Sequence, residues 1–286
     1  MHTTASDGRL SPSDLLALAA SAGVGILSVT DHDTVAGLAE AHAAAVAHGL
    51  RLIDGIEITA IDNGRDVHVL GYFFDSEDEA LRRFLQQQRL ARIDRVREIG
   101  GRLESLGCPI DVEALLTAAG TNSGRSVGRP LVADALVAAG HAGDRRDAFD
   151  RLLGHDRPAF VARCGPGVAE VVETIVTAGG IASLAHPGLV EVDDRIPAYA
   201  AAGLSALEAR HRDHSPSVEE HYRKLAARLD LAVSGGSDFH GPNDARDGVP
   251  AYPGSVSLDR VDLVALEARR STRASADGGR KANPHA

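Results

Sequence analysis

One recurring pairing constrains this 286-residue chain more than anything else in it: short β-branched runs that end in an acid or an imidazole, separated by stretches of helical periodicity. "GILSVTDHD" ends in Asp31, His32 and Asp33, and "LRLIDGIEIT" carries Glu57. In "DVHVLGYFF", His68 lies within the alternating pattern. "IASLAHPG" ends in His186, "LSALEARH" in His211, and "LAVSGGSDFHG" in Asp238 and His240. Alternating strand and helix signals predict an α/β fold with a parallel sheet, most simply a barrel. In such a barrel the strand ends share one rim. A single Asp or His after a strand is ordinarily a helix cap or a turn residue. Six loops that all place such side chains on one rim make a poor set of caps and a good set of metal ligands. Imidazoles and carboxylates without thiolates suit Zn²⁺, Mn²⁺ or Fe²⁺.

Helix signals organise the remainder. In "LSPSDLLALAASAG", Ser11 is the expected N-cap, Pro12 takes the first helical position and Asp14 follows three residues after the cap. From Leu81 to about Arg163 strand signals vanish, beginning with the Gln/Arg-rich "LRRFLQQQRLARIDRVREIGGRLESLG". The expected organisation is a discontinuous barrel, residues 1–80 and 164–268, interrupted by a helical insertion or cap at 81–163. The polar, Gly-containing stretch 269–286 reads as a disordered tail. Over 82–163 fourteen Arg face ten acidic residues, about +4, inside a chain of net charge −10. Most of those arginines read as a solvated helix face.

Composition sets outer bounds. Hydrophobic residues make up 44% of the chain and aromatics only 3%, so the core is expected to be built from small and β-branched side chains. Cys108 and Cys164 are too few for a disulfide framework and fit a reducing compartment. No apolar run approaches the ~18 to 20 residues that span a bilayer, and the start lacks a signal-peptide pattern. The expectation is a cytoplasmic protein with no membrane partner. An acidic chain is also a poor binder of long duplex nucleic acid.

Taken in order, "HTTASDG", "VTDHDT", "GIEIT", "DVHVLGY", "GRP", "LAHPG" and "GGSDFHG" resemble the PHP family (polymerase and histidinol phosphatase domains), in its subgroup with a helical insertion. That subgroup resembles bacterial phosphatases of nucleoside 3′,5′-bisphosphates, whose relatives also trim RNA from the 5′ end. The resemblance spans residue 2 to about 255. It implies a distorted (β/α)7 TIM-like barrel with two or three divalent metals at its rim. Carried over residue by residue, the first metal takes His2, Glu57 and Asp238. The second takes Glu57, His68 and His186, and the third Asp7, His32 and His240. A departure lies at the start. Family members open with a strand followed by Asp-Leu-His-x-His, and here only the second histidine, His2, stands directly after Met1. Either the chain starts too late, which the full pattern after His2 favours, or it lacks the first strand and one ligand.

The implied chemistry is hydrolysis of a phosphate ester by a metal-bound water, with a small phosphorylated nucleotide or a short RNA 5′ end as substrate. His211 is a candidate acid for the leaving alkoxide and a candidate substrate contact. Arg129, in "SVGRPLVADALVAAG", lies at an expected helix start where guanidinium and backbone N–H groups can hold an anion. Relatives carry His after this Pro, where this chain has Leu131. The leading expectation is a phosphatase acting on the 3′-phosphate of nucleoside 3′,5′-bisphosphates. Two others stand beside it: a 5′-3′ exoribonuclease on short RNA, and a metal-impaired barrel with a binding or regulatory role.

Overall fold

The runs read as strands do form strands, but two of their pairings are antiparallel. The computed structural model describes residues 1–120, 126–242 and 252–280. In chain order the elements are α1 (Pro12–Ser21), β1 (Ile26–Val29), α2 (Leu38–His48), β2 (Arg51–Asp62), β3 (Arg65–Tyr72), α3 (Glu79–Ser105), α4 (Val112–Gly120), α5 (Arg129–Ala138) and α6 (Arg145–Ala148). There follow α7 (Val168–Thr177), β4 (Ile181–Leu184), α8 (Ile196–Ala201), β5 (Ala206–His211), α9 (Pro216–Arg228), β6 (Ala232–Gly236) and α10 (Arg260–Arg280). The strands make one sheet in the order β1-β2-β3-β4-β5-β6, curled into a TIM-like half-barrel with helices packed outside it.

Pairs β1/β2, β4/β5 and β5/β6 are parallel, whereas β2/β3 and β3/β4 are antiparallel. This corrects the expectation of a wholly parallel sheet. The overlooked signal is Asn63-Gly64, which joins paired residues Asp62 and Arg65. Both have positive φ, 49° and 78°. A two-residue Asn-Gly loop of that kind matches the right-handed twist of a hairpin. Because β3 runs backwards, its start rather than its end reaches the rim. That is why His68 sits inside an alternating run and still belongs with the strand-end residues.

The outer strands β1 and β6 are linked at the rim by the first two residues: Thr30 N–H donates to the Met1 carbonyl (2.9 Å) and His2 N–H to the Phe239 carbonyl (2.9 Å). Below that link a cavity of about 730 Å³ runs through the barrel, lined at the rim end by His2, Glu57, His186, Glu208 and Asp238. Helix α1 starts as expected, with Ser11 Oγ accepting from Asp14 N (3.1 Å). The main core gathers β-strand residues with α1, α2, α7 and the first turns of α3, including Leu81, Phe84 and Leu85. A second core, from Val96 to Val161, belongs to the helical segment alone. Where a disordered tail was expected from residue 269, α10 continues to Arg280; residues 281–286 lie outside the described residues. Among the described residues no helix is long and apolar enough to cross a membrane, and Cys108 and Cys164 are both free.

Candidate metal centre

The segment Ser237–Gly241 shows how local structure makes this site. Phe239 is 1% exposed and packs into the main core, worth roughly 2 to 3 kcal/mol on burial. That anchor turns its neighbours Asp238 and His240 to the rim. Asp238, His186 and Asp33 all have positive φ (47°, 26° and 52°), a conformation disfavoured for residues with a Cβ and found where function requires it. On the opposite side, a turn from Thr3 to Gly8 presents Asp7. A Cβ on Gly8 would come within 2.4 Å of the His2 carbonyl oxygen, so the turn closes only with glycine there.

Glu57, 2% exposed, is the hub. Its carboxylate meets His2 Nε2 at 3.2 Å, His68 Nδ1 at 2.5 Å and His186 Nε2 at 3.3 Å. Asp238 reaches His2 Nε2 at 3.0 Å, and His240 Nε2 lies 3.3 Å from Asp7. Three groups of ligand atoms result, each drawn together within 4.8 Å: His2, Glu57 and Asp238; His32, Glu57 and His68; and His2, Asp7, His32 and His240. The first and third contain the trios expected from the sequence. In the second, His32 stands where His186 was expected, while His186 remains against Glu57.

Of Asp31, His32 and Asp33 only the histidine enters these groups. Asp31 clamps the N-terminal turn, accepting from Thr3 N (2.7 Å), Thr3 Oγ1 (2.7 Å) and Ser6 Oγ (2.5 Å). Asp33 accepts from Thr59 N (2.7 Å) and pairs with Arg92.

These residues fit divalent cations on their own geometry. The ring Nδ1 atoms of His2, His32 and His186 are buried without a hydrogen-bond partner. Buried polar atoms are ordinarily paired, so a cluster of orphans asks for a ligand. The donors are nitrogen and oxygen only, suited to Zn²⁺, Mn²⁺ or Fe²⁺. His240 Nδ1 donates to the Asp238 carbonyl (2.9 Å), which leaves Nε2 with its lone pair toward Asp7, as a metal-ligating histidine requires.

The clustered charges set one another's protonation. Burial opposes charge on His2, yet hydrogen bonds to Asp238 and Glu57 prevail and push it up to about 10. His186 is likewise raised to about 9, burial being outweighed by Glu57. Burial also opposes ionisation of Glu57, Asp7 and Asp238, but the surrounding imidazoles hold all three well below the usual carboxylate range. Burial brings His32 down to about 3.

Two further groups border the cluster. Glu208, which sequence reasoning passed over, is 5% exposed inside the barrel, and accepts from His186 N (2.8 Å). Burial raises it to about 7. Its signal was an acid set among the apolar residues Ala206, Leu207 and Ala209. His211 is 4% exposed; its Nδ1 accepts from Asp213 N–H (3.2 Å), so the neutral ring carries its proton on Nε2, which has no partner. Burial lowers it to about 4. At neutral pH it is a hydrogen-bond donor rather than a charged acid.

From Asp7 and His32 a narrow cleft of about 50 Å³ runs to the start of α5, where Arg92, Ser126, Gly128 and Arg145 line it. Arg129 occupies the helix start as expected, but its guanidinium faces the other way, packed over the Phe149 and Phe160 rings (5.7 and 5.6 Å) with Asp66 at 3.9 Å. Arg92 (12% exposed) points at the cleft instead. Arg92, Arg95 and Arg163 are largely buried, exceptions to the solvated face that Arg82, Arg83, Arg97, Arg146 and Arg151 form as expected.

Comparison with known proteins agrees with this geometry. The PHP domain model matches residues 1–104. A 5′-3′ exoribonuclease of Haemophilus influenzae is 36% identical over 246 residues, 84% of this chain and 88% of that protein. A 3′,5′-nucleoside bisphosphate phosphatase of Chromobacterium violaceum is 32% identical over 248 residues, 85% of this chain and 86% of that protein. Among solved structures, a candidate metal-dependent phosphoesterase from Bifidobacterium adolescentis superimposes with a TM-score of 0.82 at 34% identity, covering 94% of each chain.

Proposed function

The chain belongs to the PHP family and is a phosphoric ester hydrolase; we propose that it removes the 3′-phosphate of nucleoside 3′,5′-bisphosphates with the help of divalent cations. One observation carries this reading: the rim cluster, with its orphaned ligand atoms, opens through a cleft onto a second, cationic region. A substrate with two phosphates has a use for both.

In this reading His2, Glu57 and Asp238 hold one cation, Glu57, His68 and either His32 or His186 a second, and Asp7, His32 and His240 a third. Manganese, zinc and ferrous iron all suit these donors. Cations bound there would supply a hydroxide at neutral pH and neutralise the phosphate oxygens. The chain's own residues do the rest. His211 offers its Nε2–H to a phosphate oxygen or to the departing ester oxygen. The arginines Arg92, Arg129 and Arg163 beside the start of α5 receive the phosphate that is not cleaved.

Exonucleolytic action on RNA shares this chemistry, and the Haemophilus relative carries that name. Against it, a long single strand wants aromatic stacking platforms. Phe84 is packed in the main core, and Phe149 and Phe160 cover Arg129. A phosphate-release screen over nucleoside monophosphates, 3′,5′-bisphosphates and 5′-phosphorylated short RNAs, each with Mn²⁺, Zn²⁺ or Fe²⁺, tests the proposal. The 3′,5′-bisphosphates should give the highest kcat/KM. Shortening of RNA from its 5′ end with the bisphosphates left intact would overturn it.

A further inference from the structure

Between the β2/β3 hairpin and the helical segment lies a chain of alternating charges. Arg92 pairs with Asp33 Oδ2, and Arg163 Nη1 lies 3.8 Å from the same oxygen. Arg163 Nε is 3.7 Å from Asp66 Oδ2, and Arg129 Nη2 is 3.9 Å from that oxygen on its other side. Three guanidiniums thus share two carboxylates. One positive charge is left over in a place where burial already pushes all three arginines below their ordinary range.

The two carboxylates are held very differently. Asp33 is 6% exposed and locked by Thr59 N–H, Thr59 Oγ1 and Arg92. Asp66 has a side chain 31% exposed, and its contacts of 3.7 and 3.9 Å lie well outside the 2.7 to 2.9 Å of a charge-assisted hydrogen bond. It neutralises Arg129 and Arg163 without satisfying their N–H groups. Arg163 Nε, buried, has no hydrogen-bond acceptor at all among the described residues. Asp66 also lies two residues from His68 on the same face of β3, so ~7 Å separates this point from the metal cluster. That is the scale of the step between neighbouring phosphates along a sugar–phosphate backbone.

We propose that Asp66 is a displaceable counter-ion: a substrate phosphate other than the scissile one takes its place on Arg163 and Arg129, so that Asp66 and Arg163 set the selectivity for doubly over singly phosphorylated esters. A tetrahedral dianion offers three oxygens where Asp66 offers one, and can reach the N–H groups that Asp66 leaves unmet. Asp66 balances the charge of Arg129 and Arg163 when no substrate is bound. The inference rests on the two-phosphate reading of the site.

Anion binding to chelator-treated protein tests it without turnover. Inorganic sulfate, titrated calorimetrically, should bind about ten-fold more tightly to Asp66→Asn than to wild type, and about ten-fold more weakly to Arg163→Gln. Asp66→Asn should also melt lower in anion-free buffer and recover on adding sulfate, while circular dichroism confirms that both variants fold. In loaded enzyme, Arg163→Gln should lower the ratio of kcat/KM for a nucleoside 3′,5′-bisphosphate to that for phenyl phosphate about ten-fold, through KM. Unchanged sulfate affinity in either variant overturns the counter-ion role. Tighter sulfate binding in Asp66→Asn without any turnover of bisphosphates would keep the counter-ion and remove the proposed substrate instead.

Discussion

The barrel rim and the arginine seam beside it are two charged regions with opposite deficits. At the rim, carboxylates and imidazoles face one another, and the carboxylates push His2 and His186 toward their protonated forms. In the seam, three guanidiniums crowd two carboxylates, and arginine has no accessible neutral form by which to relieve the strain. One region can adjust by titrating, and the other only by binding an anion. Side by side they describe a surface that becomes electrostatically satisfied when cations and a polyanionic ester arrive together.

The comparison is broken most severely at the rim. Glu57 touches three histidines and Asp238 bonds to His2, so each carboxylate supports more than one ligand group. Glu57→Ala and Asp238→Ala should each lower turnover at least ~10²-fold in metal-replete buffer, with the fold retained by circular dichroism. Activity near wild type for either would remove the rim from the reaction. A smaller effect is expected in the seam. Arg92→Ala should reduce the preference for a nucleoside 3′,5′-bisphosphate over a simple monophosphate ester by roughly ten- to a hundred-fold, the range of a charge-assisted hydrogen bond. Arg129→Ala should reduce it about ten-fold, because its guanidinium faces Asp66, the place the second phosphate takes. An unchanged preference in Arg129→Ala would place the second phosphate on Arg92 alone.

The two regions also differ in how far they could be read from sequence. Rim residues announce themselves because a polar side chain ending an apolar run has no packing reason to be there; Glu57, Asp238 and His240 were visible in that way, whereas His2, with no run before it, was assigned by resemblance. Asp31 and Asp33 looked the same and are structural clamps, since hydrogen bonds to Thr3 and Thr59 come from segments distant in sequence. His186 and His32 were assigned to metals by resemblance, and only geometry ranks them around Glu57. The direction of β3 was legible in Asn63-Gly64 but was overridden by the strand–helix alternation around it. The seam was legible only in Arg129. An arginine in the insertion looks solvated until its packing is known, and Arg92 and Arg163 lose their solvent beside Asp33, Arg95 beside the Val161 carbonyl.

The subtlest distinction between the regions lies in pH. In metal-stripped protein His2 and His186 have folded pKa values of about 10 and about 9 against 6.5 for the free side chain, so their stabilisation is complete below pH 6.5 and is lost as pH rises through 9 to 10. Glu208, raised from 4.5 to about 7, withdraws its contribution earlier, as pH rises from 4.5 through 7. On the acid side His32 and His211, lowered to about 3 and about 4, favour the folded state above pH 6.5 and withdraw that support as pH falls. The depressed carboxylates of Glu57, Asp7 and Asp238 follow at lower pH. Stability of the stripped protein should therefore peak near pH 6.5, with Tm falling by a few degrees toward pH 9. Cations displace the protons on His2 and His186, so in Mn²⁺ the alkaline limb should flatten or reverse, and metal affinity should climb with pH across the same window. The arginine seam does not titrate there and contributes to neither limb. Thermal melts from pH 5 to 10, in chelator and in Mn²⁺, measure this directly: parallel alkaline limbs under the two conditions would mean that the rim histidines are not the groups a metal displaces.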